Sequence, residues 1–444
     1  MTAISDDWVL IFFSHHHLLL SPKFVAVRKM AGTRSRAYVP NLPSELWLYI
    51  QRLAVSDISP VTRAYTKEEV VKYSGAPHRP LNDKDFLRFL KTARSLQRVC
   101  RLWAELAQVL LYENVCVNDR RWPSLSKALL NPHPTSVIRN VRNVRLSPTR
   151  FDRNALILRH CGPHIEVLVQ PEFPRTERFY SAALDTPLPP MLSLTHIYWI
   201  ESAWSAALLQ SVLAAAPNLT HLTLSSSASI GSGFSNTEPV AVFPPLPPLQ
   251  SLVLLALDSP CVHALLHGAN LSRLTDLTIS PDQLESSNGA FPVLCSLRTL
   301  TLVNFPAVYR TRIPFPAILT LFPCLEELHY STYSALPIPP QSEQAAGALR
   351  CVRMYTALPP AMREPEAREH LEEMRAHAAI LLAPAFGALE RVVLDGPGWV
   401  RDVELERAWM RLRARGVCGG GGRDALNSRG CRQLASGDLS VRSD

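Results

Sequence analysis

No C-x-x-C pair occurs among the nine cysteines, and their scatter from Cys100 to Cys431 offers no flanking disulfide cap. That disfavours a zinc ribbon or a disulfide framework and leaves reduced thiols. Cys161, Cys295, Cys324 and Cys351 stand in or beside apolar frames, where cysteine acts as a small hydrophobe. Also missing are the phosphate-cradling G-x-x-x-x-G-K-[ST], the dinucleotide G-x-G-x-x-G, the metalloprotease H-E-x-x-H and the nucleophile elbow G-x-S-x-G. The expectation is a non-enzyme with no cofactor and no metal. No apolar run reaches the roughly 20 residues that a bilayer requires. The longest candidate, Trp8 to Leu20, is interrupted by His15, His16 and His17, and Asp6 and Asp7 stand where a secretory leader carries basic residues. Cytoplasm or nucleus is therefore expected, with no membrane partner. Residues 1–37 are read as a disordered segment, of which residues 1–29 are expected to contribute nothing to the fold.

What the chain does have is a repeat. Ten times it writes apolar-x-x-apolar-x-apolar: Val141/Val144/Leu146, Ile165/Leu168/Gln170, Leu194/Ile197/Trp199, Leu219/Leu222/Leu224, Leu249/Leu252/Leu254, Leu274/Leu277/Ile279, Leu297/Leu300/Leu302, Leu325/Leu328/Tyr330, Leu349/Val352/Met354 and Leu389/Val392/Leu394. Only Gln170 departs from the pattern. Starts fall 24, 29, 25, 30, 25, 23, 28, 24 and 40 residues apart, near the roughly 20–29 of one strand plus one return segment in a leucine-rich repeat. The fold class implied is α/β, an irregular leucine-rich-repeat solenoid over 137–400 with a parallel concave sheet. Such a sheet serves binding better than catalysis. The last two apolar positions of each frame point inward, so the residues just before them point out. On that face His196, Tyr198, His221, Thr223, Asp276, Glu327, His329 and Arg353 are the candidate residues for holding a protein substrate. His196 and His221 should be neighbours on successive strands.

The return segments vary. Ser205–Ala216 and Cys261–Ala269 read as helices, and a longer one runs from Glu366 to Ala383, between Pro365 and Pro384. His370 and His377 on that helix lie nearly two turns apart, too far for a shared metal, and read as a solvated face. Phe243-Pro-Pro-Leu-Pro-Pro-Leu249 leads straight into a strand and reads as an approach turn. The extension 401–444 is expected to be disordered after about residue 416, where Gly416-Val-Cys-Gly-Gly-Gly-Gly422 begins.

The front half reads as helices. Pro43 in a first turn and Glu45 at the positive end of a dipole start a helix through Leu53, with Leu46, Ile50 and Leu53 on one face. Ala54 to Arg94 reads largely as an insertion, with at most a short helix near Lys67–Lys72 and order returning near Asp85. Ser95 to Val115 then sets Leu96, Val99, Trp103, Leu106 and Leu110 on one stripe of a second strong helix.

The Leu42-Pro43-x-Glu45-Leu46 opening and the later Val99-Cys100-Arg101-x-Trp103-x-x-Leu106-Ala107 with Leu111-Tyr112 resemble the start and end of an F-box, in the divergent form of fungal F-box-like proteins. The resemblance spans about 75 residues inside 38–118, fewer than 35 of them diagnostic, and the 54–94 link is longer than is usual in that family. It implies a small helical module that docks on the Skp-type adaptor of a cullin-RING ubiquitin ligase, with repeats that hold the substrate. Carried onto this chain, the adaptor-binding module is Leu42, Pro43, Leu46, Ile50, Val99, Trp103 and Leu106. The alternative is a repeat scaffold whose front helices only cap the first repeat.

Charge is split along the chain. Residues 21–160 hold 25 Lys/Arg against 10 Asp/Glu, and residues 161–400 hold 12 against 20, giving +15 and −8. Arg139, Arg142, Arg145, Arg150, Arg153 and Arg159 cluster at the solenoid entrance. They suit either phosphate neutralisation or carboxylate pairing within the protein; with Phe151 the lone aromatic among them, nucleic acid is not the expected partner.

Overall fold

Period-two apolar spacing becomes a stack of strands because one face of each must be dry. The computed structural model describes residues 8–11, 25–28, 43–56, 83–117, 122–130, 139–147, 150–171, 187–201, 206–226, 245–255, 257, 262, 265–266, 269–285, 291–303, 312–332, 335–338, 347–355, 364–395 and 402–421. Two short strands, β1 (Trp8–Ile11) and β2 (Val25–Arg28), pair antiparallel in a sheet of their own. The disorder expected for 1–37 is corrected to that extent.

Twelve strands make the main sheet: β3 (Asn114–Cys116), β4 (Asn143–Arg145), β5 (Val167–Gln170), β6 (His196–Glu201), β7 (His221–Ser226), β8 (Ser251–Leu255), β9 (Asp276–Ile279), β10 (Thr299–Leu302), β12 (Glu327–Ser331), β14 (Cys351–Tyr355), β15 (Arg391–Asp395) and β16 (Cys418–Gly421). They lie side by side in chain order, every neighbouring pair parallel. β11 (Ile313–Pro314) and β13 (Ala335–Leu336) form a small parallel pair of their own. Register does not slip: Val144, Leu168, Ile197, Leu222, Leu252, Leu277, Leu300, Leu328, Val352 and Val392 form one row across the sheet, and all are buried. A one-residue slip would turn that row to water, which is why the pairing is firm. A single apolar cluster runs beneath the sheet from Val115 to Val417. Each fully buried Leu or Ile in it contributes about 1.5–3 kcal/mol.

Two strands lie outside the ten frames. β3 follows directly on a front helix, and β16 occupies Cys418–Gly421 beside β15, with Val417 buried in the core. The disorder expected after residue 416 is thus wrong up to Gly421: Val417 supplies the apolar anchor, and glycines pair by backbone alone.

The front half is a three-helix unit. α1 (Ser44–Ser56), α2 (Asp83–Leu96) and α3 (Arg101–Glu113) close over Phe89, Leu96, Ala107 and Leu110, with Leu48, Trp103 and Leu111 packed round them. Trp47 and Trp103 meet at 5.4 Å between ring centroids, and Arg52 pairs with Glu113 at 3.1 Å. The single helix expected from Ser95 to Val115 is instead two helices that meet in a turn at residues 97–99, with Cys100 extended. A continuous rod would carry Phe89 and Leu96 past Ala107 and Leu110; folding back buries them together. The insertion is corrected likewise, for its part from Asp83 is helix, while the helix expected near Lys67–Lys72 lies outside the described residues.

Further helices follow: α4 (Trp122–Leu130), α5 (Phe151–Cys161), α6 (Ala206–Ala215), α7 (Pro281–Glu285), α8 (Phe315–Leu321), α9 (Glu364–Leu381) and α10 (Val403–Ala414). Most of Cys261–Ala269 lies outside the described residues. The 40-residue gap holds α9, which packs on α10 through Met374, Ala378 and Leu405. The solvated-face reading is corrected, because His370 and His377 are both buried, His377 against Tyr330 and Thr332. Asp402 caps α10 by accepting from Glu404 N and Leu405 N, and its carboxylate also takes two hydrogen bonds from Arg375 of α9. The guanidinium holds Asp402 down at about 2.

Candidate functional site

On the front unit, α1 turns Trp47, Leu48 and Gln51 toward its partners, which leaves the opposite stripe bare. Leu46 is 47% exposed, Tyr49 58% and Ile50 38%; at the α2–α3 turn Val99 is 56% exposed and Leu102 41%. Pro43 is exposed as well, and its carbonyl accepts from the Leu46 and Trp47 amides to open the helix. Trp103 and Leu106 are half-buried, Trp103 as part of the unit's own packing. Leu42 lies outside the described residues. The seven residues grouped by sequence therefore divide into a solvent-facing set (Pro43, Leu46, Ile50, Val99) and a packing set led by Trp103. Tyr49 and Leu102 were missed, although each stands three residues from a chosen one (Leu46 and Val99), the spacing of helical neighbours.

On the sheet, the face opposite the core carries two rows. One runs Asn143, Val167, His196, His221, Ser251, Asp276, Thr299, Glu327, Cys351 and Arg391; the other runs Arg145, Val169, Tyr198, Thr223, Val253, Thr278, Thr301, His329, Arg353 and Val393. All eight sequence-chosen residues occupy these rows, but the structure treats them unequally. His196, Tyr198, His221, Thr223, Asp276, Glu327 and Arg353 are partly exposed. His329 is only 3% exposed, between Glu327, whose Oε2 is 3.3 Å from its Nε2, and Thr301, whose Oγ1 is 3.5 Å from its Nδ1. It is a packed residue and offers a partner little surface. Thr299 and Thr301 are buried beside it, so this face is open from β6 to β9 and again at Cys351, Arg353 and Arg391.

The most ordered feature there is an imidazole pair. The rings of His196 and His221 stack with centroids 4.1 Å apart and planes 9° from parallel. Each Nδ1 lies 2.8 Å from the hydroxyl of the threonine before it, Thr195 or Thr220. Those hydroxyls also reach backbone carbonyls of the preceding repeat, Thr195 to Glu166 at 3.3 Å and Thr220 to Thr195 at 3.1 Å. Burial and then the neighbouring His221 lower His196 to about 4; burial lowers His221, against a raising pull from Asp276. Both rings are neutral at pH 7. Burial raises the Tyr198 phenol, which stays protonated.

Among the clustered arginines, several are spent inside the molecule. Arg142 bonds the His164 carbonyl and pairs with Glu166 at 3.4 Å, Arg145 is buried in β4, and Arg153 lies over the Trp122 ring at 5.2 Å. They join the entrance of the solenoid, which favours the intramolecular use of that charge over phosphate binding. Among the described residues, no helix is long and apolar enough to cross a membrane.

No family model matches the chain, and no curated protein matches it. Among solved structures it is similar to a crystal structure of a Bacteroides fragilis protein at 12% identity and a TM-score of 0.32, over 77% of this chain and 83% of that one.

Proposed function

We propose that this chain is a non-enzymatic substrate-recruiting subunit, F-box-like, of a Skp-cullin-F-box ubiquitin ligase. Its front helices dock on the Skp-type adaptor, and the open face of the repeat sheet receives a protein substrate. The observation that carries the reading is the bare apolar stripe of Leu46, Tyr49 and Ile50 on a helix whose other side is already packed. A small unit with its own core has no structural need of exposed leucine, tyrosine and isoleucine at i, i+3 and i+4, and such a stripe suits helix docking into a partner groove. Residence in the cytoplasm or nucleus, where such ligases work, belongs to the same proposal.

The test is calorimetric titration of the full chain with a purified Skp-type adaptor, alone and bound to its cullin. Micromolar or tighter binding that is lost in Leu46→Lys/Ile50→Lys, with unchanged circular dichroism, supports the reading. Absence of binding by the wild-type chain refutes the ligase role and leaves a repeat scaffold whose front helices cap the first repeat.

A further inference from the structure

The turns that lead into β10 and β12 each carry a cysteine that the proposed docking does not use. In both turns the amide of the first frame leucine donates to the carbonyl three residues back, Leu297 to Leu294 at 3.3 Å and Leu325 to Phe322 at 3.1 Å, so the two are built alike. Thr299 stands opposite Glu327 in the parallel pairing. Counting back at that register sets Cys295 opposite Pro323 and Ser296 opposite Cys324, so the two cysteines are one residue and one strand apart. A step of about 3.8 Å along the chain and about 4.8 Å across it places their Cα atoms about 6 Å from each other, inside the range of roughly 4.4–6.8 Å that a disulfide spans. The repeat also sets the direction. The side chain just before the first apolar residue of a frame reaches back to the preceding repeat: Ser193 Oγ donates to the Pro163 carbonyl at 3.0 Å, Asn218 Nδ2 to that of Leu192 at 2.8 Å and Ser296 Oγ to that of Leu271 at 3.2 Å. Cys324 holds the place of Ser193 and Asn218, and Cys295 holds the place of Pro163 and Leu192. The same geometry directs the Cys324 side chain onto Cys295.

We propose that Cys295 and Cys324 are a redox-active thiol pair, which a small oxidised disulfide of the glutathione type converts to a covalent bridge between successive repeats. The Cys295 thiolate attacks one sulfur of the oxidant, whose S–S bond breaks and releases one thiol. The Cys324 thiolate then attacks the Cys295 sulfur of the mixed disulfide and expels the second thiol. The two cysteines lose two electrons and two protons in all, and the oxidant gains both. Cys295 attacks first because it is exposed, whereas Cys324 is partly covered and suits the resolving step. Cys161 is buried in the core and Cys351 lies within β14, so neither shares these turns. Both thiols are free in the structure, which is the reduced form of the pair. This inference is independent of the ligase reading.

Glutathione disulfide is the probe. The full chain, reduced and then freed of reductant, is incubated with it under native conditions, quenched in acid, alkylated and digested with trypsin, which cuts after Arg298 and Arg312 between the two cysteines. Mass spectrometry should find the 274–298 peptide joined to the 313–350 peptide, and dithiothreitol should separate them. Cys324→Ser should stop the reaction at a stable glutathione adduct on Cys295. Cys295→Ser should leave Cys324 several-fold slower to react than Cys295 is in the wild type. Circular dichroism of both variants should match the wild type, since neither substitution removes a buried side chain. A wild-type chain that accumulates glutathione on Cys295 with Cys324 still free overturns the proposal, as does a bridge from either residue to any other cysteine.

Discussion

Acidification should loosen the C-terminal part of the solenoid through His377. This ring on α9 is buried between β12 and its surroundings, with Nε2–H donating to the Thr332 carbonyl at 3.1 Å and Nδ1 accepting from the Tyr330 hydroxyl at 3.2 Å. Phe315 lies 6.2 Å away, ring to ring. Both nitrogens are spoken for in the neutral form, and a second proton would face the tyrosine hydroxyl. Burial lowers His377 to about 4; the Thr332 bond pulls the other way, and Arg312 adds a smaller lowering. In the unfolded chain it titrates near 6.5. Between those values the unfolded chain binds more protons than the folded one, so stability rises with pH. The contribution is complete above about pH 6.5 and is lost as pH falls toward 4. The full shift corresponds to about 3 kcal/mol, of which about 2 kcal/mol is lost between pH 7.5 and pH 5. His377→Leu with Tyr330→Phe removes the titrating ring and the hydroxyl that depends on it. Urea midpoints for wild type and variant at pH 7.5, 6 and 5 measure the effect, since other groups titrate alike in both. The wild type should be the more stable at pH 7.5, with its advantage shrinking by about 2 kcal/mol at pH 5. A gap independent of pH would refute the reasoning.

On the front unit, Leu46→Lys/Ile50→Lys should change stability by no more than about 0.5 kcal/mol, as exposed substitutions do, and should remove adaptor binding in the same samples. Trp103→Ala should instead cost about 2 kcal/mol, because its half-buried ring packs on Trp47, and melt the unit as seen by loss of helical circular dichroism. Asp402→Asn should lower the thermal midpoint at pH 7 and flatten its acid dependence: a carboxyl held down at about 2 stabilises above its unfolded value and ceases to do so as pH falls toward 2. Truncation after Arg415 should lower the midpoint as well, by removing buried Val417 and baring the β15 edge; an unchanged midpoint would show that β16 adds nothing to the sheet.

The repeat was legible because each frame states its face twice, in two buried positions two residues apart, and ten frames with one register leave little freedom. The ends were not. β3 does write the frame, Tyr112/Val115/Val117 with both valines buried, but it is hidden in the end of a helix whose pattern runs on into it, and β16 is nearly all glycine and writes none. On the front helices periodicity found α1 and α3 but not α2, and it put Leu46 and Ile50 on one face without saying what covers that face. The Leu46/Ile50 stripe is the more apolar one by sequence, yet Trp47, Leu48 and Gln51 turn inward. A single helix cannot say which of two partners, its own chain or another molecule, covers an apolar stripe. The buried histidines of α9 were misread for a related reason: spacing excludes a shared metal but says nothing of what covers the helix, and the packing of His377 on Tyr330 and Thr332, 47 and 45 residues away in the chain, is not visible in local pattern.

The row just before the strands explains why the middle of the sheet is the better partner surface. At the two ends that row pairs charges across repeats, Arg142 with Glu166, Arg298 with Glu326 and Arg350 with Glu390. Between them it turns neutral, with Thr195, Thr220, Gln250 and Thr275 in succession. Three of these four are threonines whose hydroxyls bond the carbonyl of the preceding repeat: Thr195 to Glu166, Thr220 to Thr195 and Thr275 to Gln250. The hydroxyls of Thr195 and Thr220 also hold the residue that follows, His196 and His221, through Nδ1, whereas the one proton of Thr275 is shared between Gln250 O and Asp276 Oδ2, 2.9 Å away. A side chain fixed in this way loses little freedom when a partner arrives, and pre-organisation of that kind raises affinity without adding contact area. β10 and β12 reach order by a different route, burying Thr301 and His329, which leaves less to recognise there. The neutral threonine stretch therefore marks β6 to β9 as the part of the face where polar groups are both exposed and held in place.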